Sequence, residues 1–232
     1  MDWTPAGENA LRLVLSEHPS PSTTQGLVAL QQEIRELLGN AWIDSAIGYT
    51  TLTVFIDFTH YPRERVQRLL ASLDIAKITA RYAGDFFSSN DAHVIALPTL
   101  YSPDVAPDLL SLAEHKGLSL EELIAIHSGQ VYFAYANGFA PGFSYLGEVD
   151  ERLAVPRLAT PRRAVPAGSV AIADRQTAVY PKVSPGGWHI IGRCPTLLFD
   201  VNATPPTLIN IGQWVRFEPI DCEQFVALGG EL

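Results

Sequence analysis

The sequence is poor in lysine and in cysteine. Of its 232 residues, 16 are Lys or Arg and 25 are Asp or Glu, so the formal charge at pH 7 is 16 − 25 = −9. Only Lys77, Lys116 and Lys182 are lysines. So acidic a chain is a poor general partner for nucleic-acid backbones, whose binding depends on Lys and Arg releasing counterions. Cys194 and Cys222 form no CxxC pair. A disulfide scaffold is not expected at this length, and both are read as reduced thiols in or near the core. The N-terminus lacks the basic and apolar regions of a signal peptide, which points to a cytoplasmic location. Leu123 to Gly147 carries no Asp, Glu, Lys or Arg, a length that would suit a membrane span. His127, Ser128, Gln130, Asn137 and Pro141 interrupt it, so a helix end, a strand and a loop are expected instead.

General catalytic signatures are missing too. The sequence has no GxxxxGK[ST] phosphate loop and no GxGxxG opening a helix. It has no HExxH, and its six histidines form no cluster with metal-ligand spacing. Ser144 lies in Gly142-Phe143-Ser144-Tyr145-Leu146-Gly147, which is not the GxSxG elbow of a hydrolase.

What is present is enough apolar residue for a core, 47% against 18% charged. The first ninety residues alternate periods. Leu11–Leu15 is a strand candidate. Thr23 or Thr24 is placed to cap a helix carrying Leu27, Leu30, Ile34, Leu37 and Leu38, and Gly39 stops it. Trp42–Gly48 and Thr51–Phe58 follow as strands, the second alternating Leu52, Val54, Ile56 and Phe58 with its outward positions. Pro62 opens a second helix, and Ile75–Tyr82 is read as the last strand. The order is βαββαβ, the ferredoxin-like pattern. Gly84–Ala92 reads as a linker, which divides the chain at about residue 90 into 1–90 and 91–232.

The second region starts with a strand at His93–Leu97 and a helical hairpin, Val105–His115 and Ser119–His127. Ser119 and Glu122 form a capping box. Glu121 and Glu122 stand where a DNA-reading helix would carry basic or base-reading groups, so the hairpin is taken as packing on its own domain. Nine of the seventeen prolines then fall between Pro141 and Pro206. Strand candidates are Gln130–Ala136, Ser169–Ala173, Ala178–Tyr180, His189–Ile191, Thr196–Phe199 and Trp214–Glu218. Short strands with regular turn signals point to a barrel or sandwich.

Three segments carry unusual chemistry. The first is Gly138-Phe139-Ala140-Pro141-Gly142-Phe143, a constrained loop with two aromatic rings. The second is Val165-Pro166-Ala167-Gly168-Ser169-Val170, a turn entering a strand. The third runs from Tyr180 through Ser184-Pro185-Gly186-Gly187-Trp188-His189 to Arg193. Each can be read as a barrel corner, where Gly and Pro handle tight bends. Together they can also wall a shared pocket, apolar with a few placed polar groups.

These segments, in this order, resemble the family containing the B subunit of bacterial 5-oxoprolinase, the sporulation-kinase inhibitor protein and allophanate hydrolase subunit 1. The resemblance rests on GFAPGFSYLG, LATPRRAVPAGSVAIA, QTAVYPKVSPGGWHIIGRCPTLLFD and GQWVRFEPI, and covers about Leu118 to Ile220. It implies an α+β chain, with a ferredoxin-like N-terminal domain and a cyclophilin-like β-barrel carrying the helical hairpin. It implies a subunit of an ATP-dependent 5-oxoprolinase, inactive alone, that contributes a pocket and a partner interface. Partners would be a companion barrel-type subunit and a third, catalytic subunit, with ATP and Mg in the assembled enzyme and no cofactor evident in this chain. The alternatives are inhibition of a sensor histidine kinase, or one half of a carboxyltransferase-like assembly. The expected ligand-binding residues are Phe139, Pro141, Gly142, Phe143, Pro166, Gly168, Tyr180, Ser184, Gly186, Gly187, Trp188 and Arg193. His189, Arg193 and His127 are the candidates for catalysis. The chain departs from the family where glycines are common: Tyr101 leads into Ser102-Pro103 rather than Gly-Gly, and Asp174 stands at a usual glycine position.

Overall fold

A computed structural model describes residues 3–81 and 94–232; the linker expected at Gly84–Ala92 and the first residue of the strand expected at His93–Leu97 lie outside them. The chain forms two compact units, Met1–Asn90 and Asp91–Leu232.

In the first unit, strands β1 (Thr4–Pro5), β2 (Ala10–Val14), β3 (Trp42–Ile47) and β4 (Thr51–Ile56) form an antiparallel sheet in the order β1-β2-β4-β3. Leu52, Val54 and Ile56 are buried as their alternation predicts. Helix α1 (Pro21–Leu38) buries Leu27, Leu30, Ile34 and Leu38. Its cap is Ser20, whose hydroxyl accepts the Thr23 N–H, and not Thr23 or Thr24. Pro21 sets the first helical φ, which leaves the residue before it as the cap. Helix α2 (Arg63–Ala71) starts after Pro62 as expected.

The strand expected at Ile75–Tyr82 is instead helix α3 (Ile75–Ala80). Asp74 caps it by accepting the Lys77 N–H, and the Thr79 hydroxyl donates to the Ile75 carbonyl four residues back. Six residues with two isoleucines and a threonine around Lys77 suit strand or helix by composition, and the cap decides. The helix packs close to α1, where a Cβ on Gly26 would come within 3.0 Å of Thr79.

The second unit is a closed barrel. Its strands are β5 (Val94–Leu100), β6 (Val131–Asn137), β7 (Ser144–Gly147), β9 (Ser169–Ala173), β10 (Gln176–Val179), β12 (His189–Arg193) and β13 (Trp214–Ile220). They close in the order β10-β7-β6-β13-β5-β12-β9. Neighbours are antiparallel except β13 with β5, which run parallel from Trp214 opposite Val94 to Ile220 opposite Leu100. Two short strands, β8 (Arg162–Val165) and β11 (Ser184–Gly186), pair beside it. Val170, Ala171, Ile172, Ile190, Ile191, Val215 and Phe217 fill the core.

The hairpin helices are α4 (Leu109–Lys116) and α5 (Leu120–Ser128), and a short helix, α6 (Cys222–Ala227), follows β13. The capping box is formed: Ser119 Oγ accepts the Glu122 N–H and the Glu122 carboxylate accepts the Ser119 N–H. Helix α4 starts at Leu109 rather than Val105, because Val105 and Ala106 turn back onto the Ser102 carbonyl. Thr196–Phe199 is not a strand; only Phe199 makes an isolated bridge, to Thr207. Cys194 is buried but Cys222, at the start of α6, is exposed. Asp174 opens the two-residue turn between β9 and β10 with φ 52°, the left-handed conformation that explains a glycine preference there and that Asp tolerates.

Candidate functional site

The aromatic segments converge. Phe139, Phe143, Tyr145, Arg157, Tyr180, Pro185, Gly186, Gly187 and Trp188 wall one cavity of about 80 Å³. Phe143 joins the rings of its wall, edge-on to Phe139 (5.2 Å), Tyr145 (5.0 Å), Tyr180 (5.4 Å) and Trp188 (5.8 Å between centroids). Such edge-to-face pairs are the favoured aromatic geometry. The loop that aims them is tight: Gly138 donates to the Phe143 carbonyl at 3.2 Å and Phe143 to the Ala140 carbonyl at 3.0 Å.

Phe139 closes that loop with φ 67° and is 58% exposed. A bulky side chain in the left-handed region is strained by about 1–3 kcal/mol, and such strain concentrates at functional sites. The fold therefore holds a ring on the rim of the pocket at a conformational cost. Gly186 admits Tyr180: a Cβ there would overlap the phenolic oxygen. Burial raises the Tyr180 pKa, and Arg157 nearby opposes the rise. Arg157 also lies over the Trp188 ring at 5.9 Å. The Leu158 N–H donates to the Gly187 carbonyl at 2.7 Å, which ties the Arg157 loop to the glycine turn.

A second cavity, of about 370 Å³, lies on the other side of Tyr180 and Pro181 and includes Pro166, Gly168, Arg193, Cys194 and Phe225. The expected single pocket is thus two. Phe139, Phe143, Gly186, Gly187 and Trp188 line the first, Pro166, Gly168 and Arg193 the second, and Tyr180 both. Pro141, Gly142 and Ser184 line neither. Gly142 (φ 83°) lets the loop pack on Phe199, and the Ser184 hydroxyl donates to the Lys182 carbonyl.

The two histidine candidates stand outside both cavities. His189 Nε2 lies 3.0 Å from the Pro156 carbonyl. His127 is fully buried against Tyr132 and Phe217. Its partners define its tautomer. The Thr177 hydroxyl donates to the Ala171 carbonyl (3.1 Å), so it accepts from His127 Nε2–H (3.0 Å), and His127 Nδ1 accepts from the Tyr101 hydroxyl (2.7 Å). Burial lowers the His127 pKa to about 3. It is a neutral core group that joins the Tyr101 loop, α5 and β10.

Sequence reasoning missed Tyr145 and Arg157. Tyr145 follows Phe143 at the two-residue spacing of an extended segment, a signal within the quoted motif. Arg157 stands among Arg152, Arg162 and Arg163 in the sequence, and no local pattern sets it apart.

The motif loops of a closed barrel thus build the aromatic pocket. The family model for the carboxyltransferase domain, subdomains C and D, matches residues 1–209. The B subunit of 5-oxoprolinase from Bacillus subtilis is 35% identical over 95% of this chain and 93% of its own. The chain belongs to this carboxyltransferase-domain family, among the B subunits of 5-oxoprolinase. The crystal structure of TTHA0988 superposes with a TM-score of 0.77 at 32% identity, covering 91% of this chain and 40% of that one. The chain therefore spans less than half of that longer protein. Kluyveromyces lactis urea carboxylase, 13% identical, shares the fold with a TM-score of 0.70 over 97% of this chain and 22% of that one. Among the described residues no helix is long and apolar enough to cross a membrane.

Proposed function

We propose that this chain is a non-autonomous subunit of an ATP-dependent 5-oxoprolinase, which opens 5-oxoproline to glutamate. The observation that carries the reading is the aromatic pocket, with Phe139 held in the left-handed conformation on its rim. The 5-oxoprolinase relatives, similar over nearly the whole chain, support it.

In this reading the chain supplies apolar walls and orientation rather than a nucleophile. Phe143, Tyr180 and Trp188 exclude water from one face of a small ring, and Arg157 stands ready at the edge for a polar group of the ligand. Phe139 is offered to the ligand or to a companion barrel-type subunit. In this reading ATP and Mg belong to the assembled enzyme, with the nucleotide chemistry on the third, catalytic subunit, and no step through them is derived for this chain.

The test is co-expression with the companion barrel-type subunit and the catalytic subunit, followed by size exclusion and an ATP-dependent 5-oxoproline hydrolysis assay. A stable complex whose activity needs this chain is expected. Hydrolysis by the other subunits alone, or by this chain alone, would overturn the reading. Capture of a sensor-kinase dimerisation domain in place of the enzyme subunits would replace it with the inhibitor reading.

A further inference from the structure

We propose that the cavity beside Arg193 is an anion-recognising site, separate from the aromatic pocket, that takes the carboxylate of a small monoanionic acid. The guanidinium is half-buried at the end of β12 and lines the cavity. Its Nε is shielded from solvent and has no hydrogen-bond partner. Among the described residues it also has no ion-pair partner, whereas Arg152, Arg162 and Arg175 all have one. A guanidinium N–H shielded from solvent without a hydrogen-bond partner is costly, and natural folds normally satisfy it. An arriving carboxylate would supply the missing partner through the planar fork that Arg presents.

A second unsatisfied group lies next to it. Ser169 pairs directly opposite Arg193 in the β9–β12 register, so the two side chains leave the same face of the sheet. The Ser169 hydroxyl is fully buried and also lacks a partner. Ser169 does not itself line the cavity, so the group that a ligand there would satisfy is Arg193.

The site is also held in place. Gly168 has φ 77°, and a Cβ there would run into the Cys194 carbonyl and come within 3.2 Å of Arg193 Cδ. The Cys194 N–H donates to the Gly168 carbonyl at 2.8 Å and the Gly168 N–H to the Tyr180 carbonyl at 2.7 Å. The stem of Arg193 is thus packed against fixed backbone before any ligand arrives.

The lining selects the ligand class. Glu231 lines the same cavity without pairing to Arg193, so the lining carries one cation and one acid, which favours a monoanion over dianionic phosphate. Burial raises the Cys194 thiol pKa and keeps it neutral, so it does not repel an anion. Phe225, Leu197 and Pro195 give the carbon skeleton of a small acid an apolar seat.

The experiment titrates the full chain, isotope-labelled, with acetate, 5-oxoproline, acetamide and inorganic phosphate at low ionic strength, following amide resonances. Acetate is expected to shift Gly168, Ser169 and Cys194 saturably, and phosphate to bind more weakly. Arg193→Gln is expected to weaken acetate about tenfold or more, and Arg193→Lys, which keeps the charge but loses the fork, by less. No saturable shift at these amides, a shift unchanged in Arg193→Gln, or phosphate binding tighter than acetate would overturn the proposal. Should Arg193→Gln not fold, acetamide decides on the unaltered chain: equal affinity for the uncharged isostere overturns the site, and its failure to bind supports it. Acetate reads this cavity whatever the assembled enzyme hydrolyses, so a failure here leaves the 5-oxoprolinase reading standing.

Discussion

Asp108 and Arg162 meet at 2.6 Å, and the other oxygen of the same carboxylate accepts the Ile190 N–H at 2.7 Å. Asp108 stands at the N-cap of α4, yet its side chain makes no cap hydrogen bond there. The carboxylate is diverted to join α4, β8 and β12. Arg162 also reaches the Trp188 carbonyl at 3.4 Å, so the pair fixes the segment that carries the back wall of the aromatic pocket. Asp108→Ala would leave a half-buried guanidinium and a buried N–H unpaired. A loss of about 2–4 kcal/mol in urea unfolding is expected. Tryptophan fluorescence should shift as Trp188 loosens; an unchanged midpoint would count against the strut.

Phe139 separates stability from activity. Phe139→Gly relieves the left-handed strain, worth about 1 kcal/mol, and removes a ring that is mostly in solvent. Thermal unfolding should stay level or rise slightly. Hydrolysis by the assembled enzyme should fall by about tenfold, as expected when a positioned wall is lost. Equal losses of stability and activity would make the ring structural.

Gly186 tests the pocket from the other side. Gly186→Ala drives a methyl into the Tyr180 hydroxyl, so the ring must swing into the cavity or out of its core position. Both outcomes close or distort a space of about 80 Å³. The expected result is a stability loss of about 1–3 kcal/mol, as for overpacked cores, with activity of the assembled enzyme reduced well beyond that.

His127 makes stability depend on pH. Its folded pKa is depressed from 6.5 to about 3, so the unfolded chain takes up a proton that the folded chain refuses. Its contribution is complete above pH 6.5 and is lost as pH falls toward 3. The slope is about 1.4 kcal/mol per pH unit for one proton. Urea midpoints measured from pH 6.5 to 4.5, above the carboxylate range, should fall accordingly. His127→Gln should start less stable and lack that slope. A pH-independent midpoint in the unaltered chain would contradict the buried neutral imidazole.

Sequence alone determined whatever is decided within a turn or two of chain. The alternation of Leu52, Val54 and Ile56, the Ser119–Glu122 box and the stop at Gly39 depend on neighbours a few residues apart, and all appear in the structure. The motif loops around Phe139, Gly168 and Gly186 were legible because Gly and Pro announce special backbone. Local pattern failed at residues 75–80, where β-branched residues suit either period and a cap chose the helix.

Tertiary structure alone decided what the loops make together. Only the folded barrel divides the expected pocket in two at Tyr180, brings Arg157 to Trp188, and retires His127 into the core. The same is true of Arg193, whose unpartnered Nε is a property of everything around it. The physical reason is range. Backbone conformation is set by adjacent side chains, whereas a cavity, a desolvated charge and a buried tautomer are set by groups far away in the chain, as Thr177 is from His127.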